Sequence, residues 1–278
     1  MPEPHADRRS GLVFFGALQI LLGLLAFLLL LRTAATARVN VAQSLFFISV
    51  ASFYLVVTGI GSIRGRRWAR ALIAAISGAW TVLGVFGFAL VLTVFRRTPS
   101  IGILAILAIA LIALPLVLTL FYSSRDTALT ADELDPKLRW TDRAPVPVLA
   151  ICAVLAFSSV ETLINSGKET FSFFGQPLAG APAALAMIAF GILFAHVAIQ
   201  AYRLRESAWW VLLLLHVIGG VTSATALPRS ATLLQRPALW VAIAAGWLAY
   251  LGFLIYVRRY FGLRAERVPA PVVLSTST

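Results

Sequence analysis

The sequence predicts an all-α transmembrane fold, an eight-helix polytopic bundle built as two parallel four-helix repeats. Three observations predict it. Hydrophobic residues make up 60% of the 278 and charged residues only 12%, whereas soluble domains are roughly 45–50% apolar and about 25% charged. Eight apolar runs recur along the chain, each close to the roughly 20 residues that a helix needs to cross the hydrocarbon core. Lys and Arg are sorted between alternate connections, sixteen of the 23 in one set and seven in the other. Backbone amides in lipid must be satisfied within the segment, and the runs lack the period-2 alternation of barrel strands, so they are read as helices.

The first run, Gly11–Leu31, follows Arg8 and Arg9. Its apolar core exceeds the roughly 7–15 residues of a secretory signal, so it is read as a retained anchor despite Ala35-Thr36-Ala37 behind it. The second, Val41–Ile63, ends at the Arg64-Gly65-Arg66-Arg67 turn, and the third covers Ala69–Phe95. Run four, Ile101–Tyr122, is almost wholly aliphatic; it is expected to kink at Pro115 and to face lipid. The linker Ser123–Pro145 holds five of the eleven acids. Within it Thr130-Ala131-Asp132-Glu133 fits a capping box that opens one helical turn before Pro136. A solvated linker is expected there, in preference to a divalent-ion site.

Pro145 and Pro147 open the fifth run, Val146–Asn165. The loop Ser166–Pro182, with Phe171, Phe173 and Phe174, reads as an interfacial loop on the far side. Run six, Ala183–Tyr202, and run seven, Ala208–Leu227, flank a second tight turn, Arg203-Leu204-Arg205. Run eight, Ala238–Val257, precedes a basic tail. The two Arg-turns and the similar ends, Phe121-Tyr122 against Ile255-Tyr256, suggest a duplication. The units are 1–122, a linker at 123–145, and 146–278. Four helices per unit give both the same orientation, as in parallel repeats.

Cytoplasmic connections carry the excess of Lys and Arg, so both termini and the linker are assigned to the cytoplasm. Trp68, Tyr122, Trp140, Tyr202, Trp209, Trp210, Tyr256 and Tyr260 fall at that same side and read as an interfacial belt. Arg far outnumbers Lys, which points to a GC-rich bacterium and its inner membrane. The net charge of +12 sits at helix ends, where it suits a bilayer with anionic headgroups and not nucleic acid.

Small and polar stripes mark candidate interior faces: Gly16, Gln19 and Gly23; Tyr54, Thr58 and Gly61; Ala74, Ser77, Thr81 and Gly84; His216, Gly220 and Ser223; Ala242 and Gly246. Packing is their ordinary meaning. Ionisable residues inside spans are costly and mark pathways or internal pairs. By helical rise, His196, His216, Gln19 and Ser77 share one depth, with Gln200 one turn from His196. Glu161 lies near the opposite end, on a stripe with Ser158, Asn165 and Lys168. Gln19, Ser77, Glu161, His196, Gln200 and His216 are therefore the candidate intramembrane polar site, weighted toward the second unit. Cys152 is the single cysteine, and HExxH, GxSxG and Walker sequences are absent, so no catalytic residue, metal or cofactor is expected. Two roles remain. One is a permease-like carrier of a small solute or lipid, with the histidines as relay. The alternative is a non-catalytic scaffold or assembly factor binding a partner membrane protein.

Overall fold

Long apolar runs bury their own amides by coiling, and the chain does so at almost every described position. The computed structural model describes residues 5–36, 42–94, 100–167, 170–173, 176–226 and 237–262. Its helices are α1 (Arg9–Thr36), α2 (Ala42–Ile63), α3 (Arg67–Val94), α4 (Ile101–Ala108), α5 (Leu114–Ser123), α6 (Arg125–Leu134), α7 (Val146–Ile164), α8 (Ala181–Tyr202), α9 (Glu206–Ala226) and α10 (Pro237–Val257). Among the described residues six helices are long and apolar enough to cross a membrane: Arg9–Arg32, Leu45–Ile63, Arg67–Ala89, Ile101–Ser123, Val146–Gly167 and Ala181–Tyr202. Arg38, Arg96, Arg97, Lys168, Phe174, Arg229, Arg236, Arg264 and Arg267, which entered the charge and loop assignments, lie outside the described residues.

Three departures from the expected elements have physical causes. The loop after α7 contains an antiparallel hairpin, β1 (Thr170–Phe173) with β2 (Gln176–Ala179). The linker is not a solvated strand of chain. Ser124 caps a ten-residue helix, its hydroxyl accepting the Thr127 N–H at 3.3 Å, so the start lies well before the expected Thr130. Thr130 sits inside that helix, donates to the Asp126 carbonyl and accepts the Arg8 N–H at 3.1 Å. The fourth run widens into a π-helical turn just before Pro115. A π-helical segment, Ile109–Ala113, joins α4 to α5, and the Leu114 N–H reaches back to the Ile109 carbonyl. Pro115 offers no N–H to the Leu111 carbonyl, and Leu111 lies against Gly84 of α3, where a Cβ would overlap that oxygen.

Helix α3 is the hub, packed on α2, α5, the π segment, α7 and α10. Ala69, Ala71, Ile73, Ala74, Ala75 and Ser77 are all buried along it. Helices α1 and α2 form the tightest pair. At their crossing a Cβ on Gly16 would stand 2.7 Å from the Gly59 carbonyl oxygen, and one on Gly59 2.6 Å from the Gly16 oxygen. Small residues give helices in lipid this close approach and its dispersion energy. Helix α7 packs on α8, where Ser159 donates to the Gly191 carbonyl at 2.7 Å. The combined α4–α5 run is mostly exposed beyond Pro115, Leu118 and Tyr122, in keeping with a lipid-facing helix.

The two Arg-turns share one backbone. Gly65 and Leu204 both adopt left-handed φ, 62° and 54°. The N–H of Arg66 donates to Gly61 and that of Arg205 to Gln200; Gly65 donates to Ser62 and Leu204 to Ala201. That is the bonding of a Schellman cap. Each pair of equivalent residues stands 139 positions apart, and so do the ends of α2 and α8.

Candidate functional site

Polar groups in this chain fall into three places: inside α1–α3, on the outer faces of α7 and α8, and in a charged cap at the Arg-rich end. Inside the first unit, Gln19 is 1% exposed and its Oε1 accepts from the Thr58 hydroxyl at 3.0 Å, while Gln19 Nε2 finds no hydrogen-bond partner. Toward the Arg-rich end, Ser62 donates to the Leu12 carbonyl at 2.8 Å and stands 2.6 Å from the Tyr122 hydroxyl. Ser62 has one proton, so Tyr122 must donate to it. Ser77 is buried on α3, and the Thr81 hydroxyl donates to its carbonyl.

The second unit is arranged differently. His216 is 9% exposed, with its ring 4.2 Å from Trp247 and 5.1 Å from Tyr250 by centroid; its Nδ1 has no hydrogen-bond partner. His196 is exposed on α8, and its Nε2 lies 3.4 Å from Gln200 Nε2. Glu161 is exposed near the end of α7. Lys168, its expected partner, lies outside the described residues. Of the six candidates the structure brings together His196 and Gln200. His196 is exposed on α8 while His216 packs against Trp247 and Tyr250 of α10, so the two histidines do not both point into the bundle. Among the described residues, Gln19, Ser52, Thr58, Ser62 and Ser77 are buried in the helices of the first unit, and Ser159, Asn165 and His216 in those of the second.

Two residues assigned to the interfacial belt are interior. Tyr122 is fully buried, and Trp209, 4% exposed, donates from Nε1 to the Leu254 carbonyl at 2.8 Å. Trp140, Trp210 and Tyr256 are exposed as a belt requires. The Arg258 guanidinium lies over the rings of Trp209 and Trp210 at 4.7 and 5.5 Å, within cation–π range.

The acids of the linker are paired. Asp135, 2% exposed, takes a two-pronged contact from Arg139, Nε to Oδ2 at 3.0 Å and Nη2 to Oδ1 at 2.7 Å, with Arg66 3.6 Å away. Arg67 Nε lies 3.1 Å from Asp132 and 3.3 Å from Asp142, charges in contact without hydrogen-bond alignment. Asp126 meets Arg8 at 3.3 Å and Glu133 meets His5 at 3.7 Å. Hydrogen bonding from Arg139 holds the Asp135 carboxyl below the usual aspartate value, while burial pushes Asp132 upward against the pull of Arg67 and Arg70. The cap thus pins α6 and the 3₁₀ turn Trp140–Arg143 to the α2–α3 turn. Nothing in the sequence spacing marked those partners, because they are some 65–75 residues apart.

Beside the cap a cavity of about 280 Å³ is lined by Val57, Ile60, Gly61, Arg64, Arg66 and Trp68. It touches none of the six candidate residues. Compared with family models, curated proteins and solved structures, the chain shows no significant match to any of the three. What the fold defines is a helical protein suited to a membrane, with polar groups on its outer faces.

Proposed function

We propose that this is an integral inner-membrane protein of eight spans that acts, without catalysis, as a scaffold or assembly factor for a partner membrane protein. Helices α9 and α10, each of 21 residues, supply the seventh and eighth spans, since that length reaches about 30 Å. The shared backbone of the two Arg-turns supports a duplication into 1–122 and 146–278 joined at 123–145. The basic asymmetry supports cytoplasmic termini, with anionic headgroups against the Arg-rich end.

One observation carries the functional reading: His196 lies exposed on the outside of α8 and stands six residues, roughly 9 Å, inside the helix end, with half-buried Gln200 one turn away. Polar groups in that position are costly against acyl chains and act as glue when another helix covers them. Exposed Glu161 on α7 adds to the same argument. The carrier of a small solute or lipid needs a polar path through the bundle, and the backbone contact of Gly16 with Gly59 closes the α1–α2 pair instead.

A photoreactive amino acid at position 196 or 161, irradiated in native membranes, should give a discrete protein adduct, while the same probe at exposed Leu185 gives lipid adducts. His196→Leu should abolish co-purification of that protein without reducing the amount of folded chain. Lipid adducts at all three positions would refute the reading, and adducts between two copies would replace the partner with a homodimer.

A further inference from the structure

The cavity at the α2–α3 turn lies at the end of an apolar stripe on α2. Phe53, Val57, Ile60 and Arg64 follow at helical spacing on one face of α2. Phe53 is 72% exposed and Ile60 40%, so this stripe is open to the surroundings. Its length, eleven residues or roughly 16 Å, is about half of the ~30 Å hydrocarbon core, the depth of one leaflet. At the polar end stand two guanidinium groups and an indole, those of Arg64, Arg66 and Trp68.

Charge bookkeeping singles out Arg64. In the cap Arg67 faces two carboxylates, Arg139 grips Asp135, and Arg8 meets Asp126. Arg66 leans toward Asp135 at a loose 3.6 Å with its side chain 42% exposed. Arg64 is exposed, and its guanidinium meets no acid among the described residues. An unneutralised cation at the head of an apolar, leaflet-deep stripe matches an amphiphile with an anionic head. The 280 Å³ of space also exceeds the roughly 30 Å³ of a single water many times over.

We infer that this cavity and stripe form a binding site for an anionic phospholipid, with the phosphate between Arg64 and Arg66 beside Trp68 and one acyl chain along Ile60, Val57 and Phe53. The second Arg-turn provides an internal contrast. It has the same backbone and two exposed arginines, Arg203 and Arg205, but Gln200 and Ser207 stand where Gly61 and Trp68 stand, and His196 replaces Val57. Two arginines on an identical turn without the apolar stripe should not hold the lipid. The site rests on the membrane reading alone and not on a protein partner.

The test is native mass spectrometry of the full chain in detergent, titrated with dioleoyl phosphatidylglycerol or dioleoyl phosphatidylcholine. Phosphatidylglycerol should bind in a one-to-one complex and phosphatidylcholine should not. Arg64→Gln should weaken that complex about fivefold, the worth of one arginine near an anionic head, and Val57→Trp should weaken it by blocking the cavity with charge unchanged. Arg203→Gln should leave it intact. Equal binding of the two lipids, equal effects of Arg64→Gln and Arg203→Gln, or no effect of Val57→Trp would each overturn the site. So would displacement of the lipid by millimolar inorganic phosphate, which would make the arginines a simple anion site. A chain that purifies without detergent would fail the membrane reading before the lipid was added.

Discussion

The Tyr122–Ser62–Leu12 relay can be taken apart one hydroxyl at a time. Tyr122 donates to Ser62 at 2.6 Å and Ser62 to the Leu12 carbonyl at 2.8 Å, all three residues being 0–1% exposed. In Tyr122→Phe, Ser62 keeps its acceptor and loses only an incoming proton, so the cost is that of one interhelical hydrogen bond, about 0.6 kcal/mol on average in membranes. In Ser62→Ala, the Tyr122 hydroxyl is stranded in a closed site, and an unsatisfied buried donor costs about 1–3 kcal/mol. The double variant strands nothing, because both hydroxyls are gone, and should be no worse than Tyr122→Phe. Unfolding in mixed micelles by added dodecyl sulfate, followed by circular dichroism, would measure the cycle. The expected coupling is about 1–3 kcal/mol in favour of the double variant. Additivity within about 0.3–0.5 kcal/mol, or Tyr122→Phe costing more than Ser62→Ala, would refute the relay.

Gly84→Ala should cost about 1–3 kcal/mol by overpacking against the Leu111 carbonyl, whereas Gly87→Ala, with nothing within 4 Å, should change stability by less than about 0.5 kcal/mol; the same micelle unfolding compares them. Asp135 is held below its ordinary 3.8 by Arg139, so its stabilisation of the cap is complete above that value and is lost as pH falls through the lower folded value. Asp132 is shifted upward and works in the opposite sense, its contribution declining as pH rises through its raised value. Amide exchange in α6 should therefore accelerate only in strong acid in the parent chain, and already at neutral pH in Asp135→Asn. Alkaline phosphatase fused after Asn40, Ser100, Gln176 or Arg229 should be active, and after Arg67, Pro136 or Arg205 inactive; activity within the linker would reverse the orientation.

What the sequence made legible is what depends on local composition. Apolar length located the helices, and the end of α2 at Ile63 and of α8 at Tyr202 follows from the Arg-turns written beside them. Side-chain direction was less legible because helices that are apolar on every side carry no hydrophobic contrast. For α8 the readable signal was size. Gly191, Ala198 and Ala201 are buried, and each lies roughly 140–160° around the helix from His196 at 100° per residue, which puts the histidine outside. Depth alone, used to group His196 with His216, ignored that angle. The cap was illegible for another reason. Asp132 and Asp142 looked like a solvated run because their arginine, Arg67, belongs to a distant turn and ion pairs leave no periodicity in the sequence; only the Asp135–Arg139 pair, four residues apart, lay within reach of a local reading.

Under the proposed duplication, equivalent positions show where polarity has moved. Thr58 and Ser62 of the first unit correspond to Val197 and Ala201, so buried hydroxyls on α2 give way to apolar residues on α8. Elsewhere on α2 and α8 the exchange runs the other way, half-buried Val57 and buried Gly61 corresponding to exposed His196 and half-buried Gln200. A buried pair can lose both partners at little cost, since neither group is left unsatisfied. An exposed imidazole on α8 has within the chain only its 3.4 Å contact with Gln200 to offset the cost of meeting acyl chains. We propose that a partner covering α8 supplies the rest, with a lipid on the first unit, and a reciprocal substitution tests this. His196→Val with Gln200→Gly would give α8 the residues that α2 carries at these two positions. The variant should be more stable in micelles than the parent, because the imidazole no longer faces detergent chains, while losing the adduct at position 161. A variant less stable than the parent would mean that His196 and Gln200 serve the fold of this chain alone, and the partner would have no remaining support.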